Sequence, residues 1–134
     1  MLADDTAGEP KSADGQAEMI RTLRSARQSA VKARTQAANQ LQALLVTAPE
    51  KLRHRLRKLP TKNLVDTCGR FRPGSEPDEV HTATKFLLRS VARRYQLLSE
   101  EIAELDEQLD RLVAKAAPQL TALPGIGTPI SACT

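Results

Sequence analysis

The chain has 134 residues, and with no Trp, two Phe and one Tyr its core has to be built from Leu, Ala and Val. Abundant Ala, Leu, Arg and Glu with few aromatics favour helices and disfavour sheets. No run of about twenty apolar residues occurs and no apolar segment follows Met1, so neither a membrane span nor a secretory signal is expected, which predicts a cytoplasmic protein. The net charge of +4 conceals a strong asymmetry: residues 1–18 sum to −4, residues 19–75 carry thirteen Lys and Arg against Glu50 and Asp66, and residues 76–134 sum to −3. A middle section at +11 points to a polyanionic partner.

Residues 1–16 contain Gly8, Pro10, Ser12, Asp14 and Gly15 and read as a linker or arm. A first long helix is expected over 17–47, where Met19, Ile20, Leu23, Ala26, Ala30, Ala37, Leu41, Leu44 and Leu45 recur near helical spacing. Arg21, Arg24, Arg27, Lys32 and Arg34 lie beside that stripe. No acid follows Glu18 on this helix, so these charges are expected to lack partners on their own helix. Their flank is either a solvated face or a phosphate-contacting one.

Pro49 suits the first position of a short helix reaching Lys58, with Leu52, Leu56 and Leu59 on its apolar edge. Its other edge is densely basic: Arg53, His54, Arg55, Arg57 and Lys58. Pro60 breaks the chain. Thr61 is placed to cap a third helix through about Arg70, with Leu64, Val65, Cys68 and Phe71 as its apolar positions. Residues 72–77 read as a loop, with Ser75 or Asp78 as the cap of a fourth helix.

From 78 to 117 comes the longest periodic stretch. Leu88, Val91, Tyr95, Leu98, Ile102, Leu105, Leu109, Leu112 and Ala116 succeed one another at alternating spacings of three and four. That is a heptad seam over about four heptads, which argues for a coiled coil, the alternative being a helix in an ordinary bundle. The helix changes sign along its length, from Lys85, Arg89, Arg93 and Arg94 to Glu100, Glu101, Glu104, Asp106, Glu107 and Asp110. The basic first helix can therefore lie antiparallel to it, with Arg21, Arg24 and Arg27 facing the acidic half. The predicted fold is all-α: a long antiparallel helical hairpin, a coiled coil, with two short helices at its tip.

The long helix is expected to end at Pro118. Leu123-Pro124-Gly125-Ile126-Gly127 then reads as the turn of a helix-hairpin-helix, or as an ordinary helix–turn connection. In the first case Gly125 and Gly127 let the backbone approach a phosphate, and Thr128-Pro129 opens a helix whose amides point at it. Residues 118–134 would then be the truncated start of such a domain.

No catalytic constellation stands out. His54 and His81 lie in different elements without ligand partners, no metal ligands are spaced for a site, and no phosphate-cradling glycine loop is present. Cys68 and Cys133 read as free thiols of a reducing compartment.

The run from Ala26 to Glu50, Ala-Arg-Gln-Ser-Ala-Val-Lys-Ala-Arg-Thr-Gln-Ala-Ala-Asn-Gln-Leu-Gln-Ala-Leu-Leu-Val-Thr-Ala-Pro-Glu, closely resembles the central segment of the one-ten family of bacterial insertion-sequence transposases. Arg93-Arg94-Tyr95, the stretch from Glu101 to Asp106 and Leu123-Pro124-Gly125-Ile126-Gly127 look like the same family. The resemblance implies a nucleoid-associated, multidomain DNA recombinase. Its expected parts are a RuvC-like domain with a DEDD acidic site for a divalent metal such as magnesium, a coiled-coil middle, and a C-terminal domain with a serine nucleophile. Some members are directed by a structured bridge RNA. On this resemblance the chain starts after the last acidic motif and stops inside the C-terminal domain. Asp4, Asp5 and Ser131 therefore do not match the family's active-site positions, and no catalytic or metal-binding residue and no cofactor is expected in this chain.

The expected function is that of a transposase segment in DNA transposition and recombination. It would bind nucleic acid, DNA with structured RNA as a second candidate, and associate with itself. Phosphate contacts are assigned to Arg24, Arg27, Lys32, Arg34, Arg53, Arg55, Arg57 and Lys58, with Gly125 and Gly127, and self-association to Leu98, Ile102, Leu105 and Leu109. The competing reading is a helical protein–protein interaction module with no nucleic-acid role.

Overall fold

The computed structural model describes residues 12–74 and 78–121, and the burial of their side chains over 15–74 and 78–116. It is all-α. Among the described residues four helices occur in order, α1 (Ser12–Val46), α2 (Glu50–Leu56), α3 (Thr61–Gly69) and α4 (Glu79–Thr121), and no strand. Two compact units arise, Ser29–Ile102 and the pair Met1–Gln28 with Ala103–Thr134.

In the Ser29–Ile102 unit all four helices close one apolar cluster. α1 contributes Ala37, Leu41 and Leu45, α2 Leu52 and Leu56, α3 Leu64, Val65 and Cys68, and α4 Leu88, Val91 and Ala92, with Ala48 and Phe71 from the connections. Ala37 and Ala92 are fully buried, and with only a methyl group each they let α1 and α4 come close. The long helices run antiparallel here: Arg34 of α1 donates to Ser99 of α4, while Gln40, further along α1, accepts from Arg94, further back on α4. The seam predicted on α4 faces inward, with Leu88, Val91 and Ile102 buried and Tyr95 and Leu98 half-buried.

In the other unit α1 lays Ile20 and Leu23, and α4 lays Leu105, Leu109, Leu112 and Ala116, in half-buried positions. None of its described side chains is fully buried.

The helix starts are built from the chain's punctuation. Pro49 and Pro60 occupy the N-cap positions of α2 and α3, without a side-chain cap at either. Their carbonyls accept the first helical bonds, from Arg53 N at 2.9 Å and Leu64 N at 2.8 Å. Pro49 thus sits one position before the first helical residue, and Thr61 is that first residue of α3 rather than its cap. Asp78 caps α4 by accepting the His81 N–H at 2.8 Å. Ser75, the other candidate, lies outside the described residues.

α2 stops at Leu56, short of the expected Lys58, and two other predicted boundaries move further. α1 begins at Ser12, inside the stretch read as an arm, because Ala13, Gln16 and Ala17 suit a helix and one glycine, Gly15, costs it only about 1 kcal/mol. α4 continues past Pro118 to Thr121. The proline ring fixes a φ that a helix accepts, at the cost of one backbone bond and a local crowding near the helix end. The predicted glycine turn and the helix after it, 122–134, lie outside the described residues.

Candidate nucleic-acid interface

The basic side chains divide into those engaged inside the fold and those left on its surface. Arg27 donates through Nε to Asp106, both about half exposed, within the unit of residues 1–28 and 103–134. This is the predicted pairing of the basic first helix with the acidic half of α4. Arg21 departs from it: its ion pair is with Glu18, one turn earlier on α1, so that acid does serve as a same-helix partner. Arg24 is exposed and has no ion-pair partner among the described residues.

Three more basic groups are held in the Ser29–Ile102 unit. Arg34 is half-buried, donates to Ser99 Oγ at 3.2 Å and lies 5.7 Å from the centre of the Tyr95 ring. Its guanidinium joins α1 to α4 rather than pointing into solvent. Arg53 reaches back to the Val46 carbonyl at 3.3 Å. Val46 ends α1, where unpaired carbonyls carry the negative end of the helix dipole, so Arg53 both satisfies an orphan acceptor and neutralises that end. Arg93 does the same for α3, donating from Nε to the Gly69 carbonyl at 3.1 Å.

Phe71 collects two further cations. Arg55 lies 5.9 Å and Lys85 5.0 Å from its ring centre, so α2 and α4 bring their charges to one aromatic side chain. The Arg55 guanidinium also acts on Cys68, but burial dominates and pushes that thiol from 9.0 up to about 11. At neutral pH Cys68 is therefore a protonated core side chain and no nucleophile.

Of the eight predicted contacts, Arg24, Lys32, Arg57 and Lys58 are left for a polyanion, all exposed and without ion-pair partners among the described residues. Arg57 and Lys58 lie together at the end of α2, and Lys62 at the start of α3 is exposed as well. Of the eight predicted phosphate contacts, then, Arg27, Arg34 and Arg53 are engaged internally and Arg55 is shared with Phe71. Gly125 and Gly127 lie outside the described residues.

The sequence showed the basic half of α4, but no phosphate contact was assigned to it. Arg89 stacks 5.7 Å from the ring of Phe86, itself 52% exposed, and Arg93 and Arg94 continue along the same exposed surface with Leu97. The signal was present as Lys85, Arg89 and Arg93 at steps of four, which puts them on one side of a helix.

Of the four residues assigned to self-association, Ile102 is buried by the chain's own side chains, while Leu98, Leu105 and Leu109 are half-buried. Between α3 and α4 a groove of about 560 Å³ is lined by Lys62, Val65, Asp66, Tyr95, Gln96, Ser99 and Glu100, and the Gln96 amide donates to Asp66 across it at 3.5 Å. Among the described residues no group of three or more His, Cys, Asp or Glu is placed to hold a metal ion, and no helix is long and apolar enough to cross a membrane. Set against protein families, curated proteins and solved structures, the chain finds no match in any of the three.

Proposed function

We propose that this chain is a nucleic-acid-binding helical segment that holds a phosphate backbone without reading bases. We propose further that it serves a transposase of the insertion-sequence class it resembles, in DNA transposition. The observation that carries the binding reading is the set of exposed cations, Arg57, Lys58 and Lys62 around the α2–α3 corner with Lys32 on α1, none of them in an ion pair among the described residues. The unit they belong to has fourteen Lys and Arg against seven Asp and Glu over residues 29–102. Such a surface attracts a polyanion through charge, and the helices hold it rigid enough to track a backbone.

Binding of this kind is steeply salt-dependent, because each neutralised phosphate releases condensed counterions. The test is to titrate labelled duplex DNA and structured RNA at two salt concentrations. Tight binding at low salt that weakens steeply and varies little with sequence supports the proposal. No binding at low salt, or binding indifferent to salt, overturns it in favour of a helical interaction module. The transposase reading has its own test: the source DNA on both sides of this segment should encode, in frame, a DEDD-containing domain and a serine-bearing domain.

A further inference from the structure

We infer that the outer face of α4 around Leu97 is a self-complementary surface, which binds a second copy of this chain antiparallel about a two-fold axis through Leu97. The inference is independent of nucleic acid and uses a different face from the buried seam. Leu97 is 64% exposed, as exposed as any large apolar side chain in the described part of α4. Arg93 and Arg94 precede it, Glu100 and Glu101 come after it, and all four are exposed. Leu97 is the midpoint of both the 93–101 and the 94–100 pairs.

The symmetry is three-dimensional as well as sequential. At about 100° and ~1.5 Å per residue, Arg93 and Glu101 lie roughly 40° to opposite sides of the Leu97 direction and about 6 Å along the axis from it. Arg94 and Glu100 lie roughly 60° to opposite sides and about 4.5 Å away. Arg93 thus shares a flank with Glu100, and Arg94 shares the other with Glu101. A two-fold axis that stacks Leu97 on the partner's Leu97 sets Arg93 against the partner's Glu100 and Arg94 against the partner's Glu101, and the same pairs recur by symmetry. A parallel arrangement would set arginine on arginine and glutamate on glutamate, so the charges also fix orientation.

The groups are ready for this role. Arg93 uses Nε for the Gly69 carbonyl and Arg94 uses one Nη for Gln40 at 3.3 Å, which holds both guanidinium groups in place. A guanidinium has five N–H donors, so each retains others for a carboxylate. Glu100 and Glu101 have no ion-pair partner among the described residues.

The test is sedimentation of the full chain, freed of nucleic acid, over a concentration series at low and high salt. Wild-type protein should form a dimer that weakens as salt is raised. Arg93→Glu/Arg94→Glu makes the face wholly acidic and Glu100→Arg/Glu101→Arg makes it wholly basic. Each variant alone should dimerise roughly tenfold or more weakly, and an equimolar mixture should recover a dimer, because every facing pair is again opposite in sign. Leu97→Glu, at an exposed position, should abolish the dimer while leaving the helical circular dichroism unchanged. A wild-type chain that stays monomeric throughout overturns the inference. So does a dimer that survives in both charge variants, or one abolished by Ile102→Asp but untouched by Leu97→Glu. Should Arg93→Glu/Arg94→Glu lose its helical signal, the decision passes to Leu97→Glu and Glu100→Arg/Glu101→Arg, which break no side-chain hydrogen bond or ion pair among the described residues.

Discussion

Replacing Arg57 and Lys58 together by Ala should flatten the salt dependence of nucleic-acid binding without loosening the fold. Both side chains are exposed, and the bond that Arg57 makes within α2 comes from its backbone N–H, which Ala retains. For duplex DNA each lost phosphate contact removes about 0.9 from the slope of log affinity against log salt, so two remove ~1.8. Between 50 and 200 mM salt the wild-type affinity should therefore fall about twelvefold further than that of the variant. Arg53→Ala is the control. Its guanidinium is held by the Val46 carbonyl, so its loss should lower the melting temperature and leave the slope alone. Fluorescence anisotropy with a labelled duplex at four salt concentrations measures both slopes. If the Arg57→Ala/Lys58→Ala slope equals the wild-type slope, or if Arg53→Ala flattens it as much, the division into internal and surface cations is wrong.

Leu56→Ala, at a fully buried position, should cost about 2–5 kcal/mol in urea unfolding, whereas Leu97→Ala at an exposed one should stay within about 0.5 kcal/mol when measured on the monomer. Arg27 and Asp106 are each roughly half exposed, so a double-mutant cycle should return a coupling of only about 0.2–1 kcal/mol, less at high salt. Cys68 holds its proton more tightly folded than unfolded; its contribution is complete below pH 9.0 and is lost as pH rises toward about 11. Cys68→Ala should accordingly be less stable at pH 7 yet lose less between pH 9 and 11, as thermal melts across that range would show. Asp78 is held below its ordinary 3.8, first by the His81 backbone N–H, so the stability it lends α4 is present above that value and fades as pH falls through the lowered one. Asp78→Ala should lower the melting temperature at pH 6 and make progressively less difference as pH falls below 3.8.

The helices were legible because hydrophobic period is a local property. Every seam residue from Leu88 to Ala116 is buried or half-buried, and Leu52, Leu56, Leu64, Val65, Cys68 and Phe71 all reach the core. The functional surface was less legible because a cation's partner is set by tertiary contacts. Arg53 and Arg57 are equivalent in sequence, two basic residues one turn apart on the same short helix. Only the turn back toward α1 decides that the first meets a helix-end carbonyl and the second meets water. Likewise nothing local to Arg34 announces Tyr95 and Ser99, which lie about sixty residues away. The exposed Leu97 and Phe86 were hidden by a strong seam on the opposite side of the same helix.

The arginines that close the ends of α1 and α3 have a kinetic consequence. α2 has 7 residues and α3 has 9, both below the roughly 12–15 at which a helix holds alone in water. Each depends on neighbours: α1 ends on a guanidinium from α2, α3 ends on one from α4, and the Phe71 ring after α3 holds cations from α2 and α4. Neither short helix can peel away without releasing contacts that the other elements need. Their amides should therefore exchange with solvent as a single cooperative block, opening and closing together, while the long helices beside them fray residue by residue from their ends.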